Sequence, residues 1–96
     1  PPVHGFEVKV SRADWLTEHR TGGKKSEPWR RYCDYWWMVV PNPKIIKLEE
    51  LPDGWGLLAG EKQLRTVVKP VRTLGTQPLD MEHMRTIARH SQRNQL

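Results

Sequence analysis

The six residues Tyr35-Trp36-Trp37-Met38-Val39-Val40 constrain the fold more than any other stretch of the chain. All are apolar, most are aromatic or β-branched, and Pro41-Asn42-Pro43 ends the run. A run so short, stopped by prolines, reads as a buried central strand. It is also the longest apolar run in the chain, where a membrane-spanning helix needs about twenty residues. Upstream, Phe6, Val8 and Val10 alternate with Glu7 and Lys9. That period of two predicts a strand over 5–10 with one apolar and one charged face.

Between these strands, Ser11 reads as an N-cap, with Asp14 three residues on in a near capping box. Val10 and Trp15 stand at the hydrophobic-staple positions around it. A helix is predicted over about 12–19, stopped by Thr21-Gly22-Gly23. Ser26 caps a second, short helix with Pro28 in its first turn, after an exposed basic loop at 23–26. Strand, helical crossover and second strand make a βαβ unit, so the two strands should be parallel.

Further along, a helical turn is expected around Leu48, ended by Pro52-Asp53-Gly54, and then a hairpin of 55–59 with 64–69 about Gly60-Glu61-Lys62. Asp80 caps a final helix with Met84, Ile87 and Ala88 as its apolar stripe, and Arg85, Arg89 and Arg93 fall on one face of it. That basic face reads equally as a DNA clamp, a partner-binding surface or a solvated face. The expected organisation is an α/β core over 1–70, a linker over 71–78, and a basic amphipathic helix over 79–96 packed on the core or extending from it.

Ninety-six residues make one domain. Hydrophobic residues reach 36%, with five tryptophans among them, which supports a modest core and excludes collagen-like, disordered and coiled-coil chains. The net charge of +5 favours an anionic partner, nucleic acid or a membrane surface. Cys33 is the single cysteine, so there is no internal disulfide or zinc set, which fits a reducing compartment. The chain opens on Pro1-Pro2 with neither an initiator Met nor a leader, as expected of a processed chain or a fragment.

Glu7 and Lys9 are two apart on a strand and leave the same face. A carboxylate that holds a divalent cation, beside an ammonium that orients the attacking water or stabilises transition-state charge, suits phosphodiester hydrolysis. The same pair on an exposed strand face also reads as a solvated ion pair. Asp34 is either a late metal ligand or a turn cap paired with Arg30 or Arg31. Trp15 and Trp29, beside basic residues, stack on bases or pack helices onto the sheet. Trp36 and Trp37 point to opposite faces, so at least one belongs to the core. Ser11 and Arg12 border the Glu7–Lys9 site and are candidates for a phosphate contact, with N-capping the other role of Ser11. Lys24, Lys25, Arg30 and Arg31 form a basic cluster that either grips phosphates or is solvated surface. Cys33 reads as a small buried residue.

Three blocks carry a wider likeness. They are Phe6-Glu7-Val8-Lys9-Val10-Ser11-Arg12-Ala13-Asp14-Trp15-Leu16, Arg31-Tyr32-Cys33-Asp34-Tyr35-Trp36-Trp37-Met38-Val39-Val40-Pro41, and Glu50-Leu51-Pro52-Asp53-Gly54-Trp55-Gly56-Leu57-Leu58. In that order and spacing, over about residues 4–70, the chain resembles the small phage and bacterial, DNA-repair-associated members of the PD-(D/E)xK nuclease superfamily. The resemblance implies a restriction-endonuclease-like fold, a mixed sheet flanked by helices, and a metal-dependent DNA endonuclease using Mg²⁺ or Mn²⁺. It makes Glu7 the metal-binding acid and catalytic residue, Lys9 the catalytic lysine, and the Val8 backbone carbonyl a further metal ligand. It implies DNA as partner, a possible homodimer, no membrane, and a cytoplasmic place in a bacterial cell, with a phage gene as one source. The family also has an aspartate on a preceding strand, and no Asp precedes Glu7 here. The expectation is then that the first helix and strands of the fold are missing. The alternative is a catalytically inactive nucleic-acid-binding or host-protein-interaction module on the same fold.

Overall fold

The computed structural model describes residues 1–76 of the chain. The expected helix over 79–96, with Arg85, Arg89 and Arg93, lies outside the described residues. The architecture is a small mixed α/β domain: strand β1 (His4–Val8), helix α1 (Arg12–Arg20), helix α2 (Glu27–Arg30), strand β2 (Tyr35–Val40), two 3₁₀ turns (Pro43–Ile45 and Leu48–Glu50), strand β3 (Gly56–Ala59) and strand β4 (Arg65–Val68). The four strands form one sheet in sequence order. β1 runs parallel to β2 with Glu7 opposite Met38, and β2 runs parallel to β3. β4 closes the sheet antiparallel to β3.

Local chemistry explains the element limits. The Ser11 hydroxyl accepts the Asp14 amide at 3.1 Å and starts α1. Asp14 reaches back past the capping-box position and accepts the Val10 amide at 3.1 Å. Gly22 and Gly23, both at positive φ, carry the chain out of α1. Ser26 opens α2 without capping it, because its hydroxyl donates to the Gly23 carbonyl.

The core lies on one side of the sheet. Trp15 of α1 packs with Met38 and Val40 of β2, Ile46, and Leu57 and Ala59 of β3, all buried. Gly5 stands opposite Trp36 on this side, and a Cβ there would lie 2.4 Å from the indole and 2.7 Å from the Cys33 sulfur. Only glycine lets that tryptophan lie over β1. On the opposite face Trp37 leans over Gly56 in the same way, with 2.6 Å to a built Cβ. The two tryptophans therefore serve opposite faces, and Trp36 is the buried one.

Two expectations change. The central strand is buried on one face, with Tyr35, Trp37 and Val39 of the other only half-buried. In β1 the faces are exchanged: Phe6 is 55% exposed and Val8 61%, while Glu7 and Lys9 turn toward the side that α1 covers. Alternation fixes two faces but does not say which one a helix will cover.

One-sided burial sets the stability pattern. Met38→Ala should lower the free energy of unfolding by about 2–5 kcal/mol in urea denaturation. Val8→Thr, on the open face, should change it by no more than ~0.5 kcal/mol. Equal losses from the two would contradict this assignment of faces.

Candidate active site

β1 is an edge strand of the sheet among the described residues, and its backbone directions follow from its pairing. Val3 accepts amides from Asp34 and Tyr35, and Lys9 donates to the Val39 carbonyl at 2.9 Å. Odd-numbered residues thus turn their backbone groups toward β2, and the even-numbered Val8 turns its carbonyl to the open edge. The side chains of Glu7 and Lys9 leave on the α1 side, beside that edge.

Lys9 Nζ stands 3.7 Å from Glu7 Oε1 and 3.8 Å from Asp14 Oδ1. These are ion-pair distances, longer than a hydrogen bond. The Lys9 side chain is 13% exposed and that of Glu7 26%, so the pair is sheltered but reachable. Above it, α1 places Glu18 one turn beyond Trp15 on the same buried face, 2% exposed. Neither oxygen of Glu18 has a hydrogen-bond partner, nor has Glu7 Oε2.

Burial raises Glu7 from the ordinary 4.5 to about 7, with repulsion from Glu18 adding to the rise and Lys9 opposing it. Two ionised carboxylates have only acceptors to offer each other, whereas a proton on one of them can be donated to the other. Arg30 feels both acids, yet its Nη1 donates to Gly23 O at 2.6 Å and to the Ser26 hydroxyl, and its guanidinium lies 4.9 Å from the Trp55 ring centre. Lys9 thus pairs with Glu7 and Asp14, while Arg30 acts at longer range on Glu18 and Glu7.

The remaining predicted site residues are scattered. Arg12 is held in a bidentate pair with Glu50, at 2.5 and 2.7 Å, and donates to Ile45 O at 2.9 Å. That pair keeps the Glu50 carboxyl at about 2, well below the usual carboxylate range. Arg31 pairs with Glu27 at 2.6 Å. Lys24 and Lys25 are exposed on the loop between the helices. Arg30 and Arg31 line a shallow cleft of about 300 Å³ with Glu27, Asp53 and Trp55, and neither Glu7 nor Lys9 lines it. Asp34 accepts the Val3 amide at 2.7 Å and pairs with Arg72 at 3.2 Å, in place of the expected Arg30 or Arg31. Cys33 is buried. Trp15 is core, its Nε1 donating to Glu50 at 3.3 Å.

Glu18 is the site residue that sequence reasoning missed. Its one signal was its position three after Trp15, which places both on one helix face. Among the described residues no three His, Cys, Asp or Glu side chains gather around a common point. No helix among them is long and apolar enough to cross a membrane.

Known proteins do not name the site. The chain matches no family model, no curated protein and no solved structure.

The raised Glu7 carboxyl has a measurable consequence. The folded state keeps its proton up to about pH 7 and the unfolded state only to about 4.5, so the native chain binds more protons in between. The Glu7 contribution to stability is full below about 4.5 and falls as pH rises toward 7. With allowance for partial exposure, the loss is on the order of 2 kcal/mol. Urea denaturation in metal-free buffer across that window should show the decline in the native chain and a flatter profile in Glu7→Gln. Identical profiles would contradict it.

Proposed function

We propose that the chain is a metal-dependent DNA endonuclease of PD-(D/E)xK type on a restriction-endonuclease-like core. One observation carries this reading: Glu7 on the edge strand β1 and Lys9 just past its end stand 3.7 Å apart, half-sheltered by the following helix. The order of strand, helix and second parallel strand agrees with the resemblance read from the sequence.

The donor set suits a hard, oxygen-preferring cation: a Glu7 oxygen with no hydrogen-bond partner and the Val8 carbonyl at the open edge. Mg²⁺ commonly binds through one or two carboxylates and completes its shell with water and substrate phosphate, so a cage of protein ligands is not required. When bound, such an ion lowers the pKa of a coordinated water and offsets charge on the phosphate. Glu7 would hold it with the Val8 carbonyl. Lys9, whose contacts to Glu7 and Asp14 are too long for hydrogen bonds, keeps its donors for the attacking water or for charge that develops on the phosphoryl oxygens. Ion pairing of Lys9 with two acids holds the ammonium near that position. Backbone positioning of DNA would fall to the exposed Lys24 and Lys25, since Arg12 and Arg31 already have carboxylate partners.

That commitment of Arg12 and Arg31 also favours a second reading, an inactive binding module on the same fold, with weak and salt-dependent DNA affinity.

Purified protein should cut plasmid or branched DNA with Mg²⁺ or Mn²⁺, and not with EDTA. Glu7→Ala and Lys9→Ala should each reduce the rate by about 10²-fold or more. Cutting that survives unchanged in both variants contradicts the proposal. DNA binding that persists with EDTA, without any cutting, supports the second reading.

A further inference from the structure

We infer that Glu18 of α1 is a second carboxylate ligand of the cation held by Glu7, so that the site is built across the strand–helix interface and not on β1 alone. The inference rests on the proposed function for the presence of a cation at Glu7; what it adds is the ligand from the helix.

Four observations lead to it. Glu18 is almost fully buried, and both its oxygens lack a hydrogen-bond partner. It lies close enough to Glu7 to repel it, and Glu7 Oε2 is likewise without a partner. A buried carboxylate is costly unless something positive or donating meets it. Neither nearby cation makes an ion pair with Glu18 among the described residues. Lys9 pairs with Glu7 and Asp14, and Arg30, whose Nη1 donates to Gly23 and Ser26, acts on Glu18 only from beyond the 4 Å of an ion pair. What remains is a gap between two acids on neighbouring elements, rich in oxygen and short of positive charge. A small divalent ion of the Mg²⁺ or Mn²⁺ class fills such a gap with both carboxylates, the edge carbonyl of Val8 and solvent.

The helix geometry explains why Glu18 can serve. Trp15 anchors α1 in the core one turn earlier, and residues three apart lie on the same helix face. Glu18 therefore does not have to be drawn in from solvent when the ion binds.

The test is titration of the full chain with Mn²⁺ alone, without DNA, read from the loss of the free Mn²⁺ resonance signal. The native chain should bind one ion. Glu18→Gln, which keeps shape and removes charge, should weaken binding at least tenfold, as should Glu7→Gln, whereas Glu49→Gln on the surface should leave it unchanged. Glu18→Asp, which keeps charge but shortens the arm, should also weaken binding, and it decides the matter should the Gln variant fail to fold by circular dichroism. Unchanged Mn²⁺ binding in Glu18→Gln and Glu18→Asp, or no binding by the native chain at millimolar Mn²⁺, overturns the inference. The two claims separate cleanly. Mn²⁺ binding through Glu18 without DNA cutting upholds the ligand and defeats the endonuclease. Cutting whose Mn²⁺ dependence is unchanged in Glu18→Gln does the reverse.

Discussion

Everything distinctive about this domain depends on how Trp15 is held. Its indole packs in the core with Met38, Val40 and Leu57, and its Nε1 donates to Glu50. Glu50 also takes both terminal nitrogens of Arg12 and the Lys47 amide. The first turn of α1 is thus tied to the crossover between β2 and β3 by a charge-assisted fork, and to the sheet by apolar contact. The next buried residue of that helix is Glu18, close enough to Glu7 on β1 to repel it. The packing that stabilises the fold therefore also forces two acids together.

Such an arrangement is hard to explain by stability alone. An apolar pair at positions 7 and 18 would continue the core of Trp15 and Met38 without cost, while Phe6 and Val8 remain on the open face. The chain instead places its polar set inside and part of its apolar set outside. Local rules and global fold usually agree, and where they conflict the site is commonly a functional one. The conflict here is confined to β1 and one turn of α1.

Much of the fold was legible in the sequence. Pro41 marked the end of β2, Ser11 the start of α1, and the glycines after Thr21 its end, because each acts through its own backbone. Parallel pairing followed from a crossover too long for a hairpin. Partners far apart in sequence were not legible. Arg12 with Glu50 and Asp34 with Arg72 join residues 38 apart, whereas sequence reasoning favours neighbours such as Arg30 and Arg31. The site was half legible. Glu7 and Lys9 share a face by strand geometry alone, and their proximity is a matter of spacing. That this face lies under the helix depends on where α1 crosses the sheet, and no local pattern records it. Glu18 among Thr17, His19 and Arg20 has the look of a solvated residue until the position of Trp15 is known.

The central claim is that a divalent ion belongs between β1 and α1, at Glu7 and beside Lys9. Paramagnetic broadening of backbone amide resonances by substoichiometric Mn²⁺ tests it most directly. Broadening should begin at residues 7–9 and at Glu18, and leave Lys62 and Arg65 sharp. Broadening that begins instead at the acids around Glu49 and Asp53, or that spreads evenly over the chain, would contradict it.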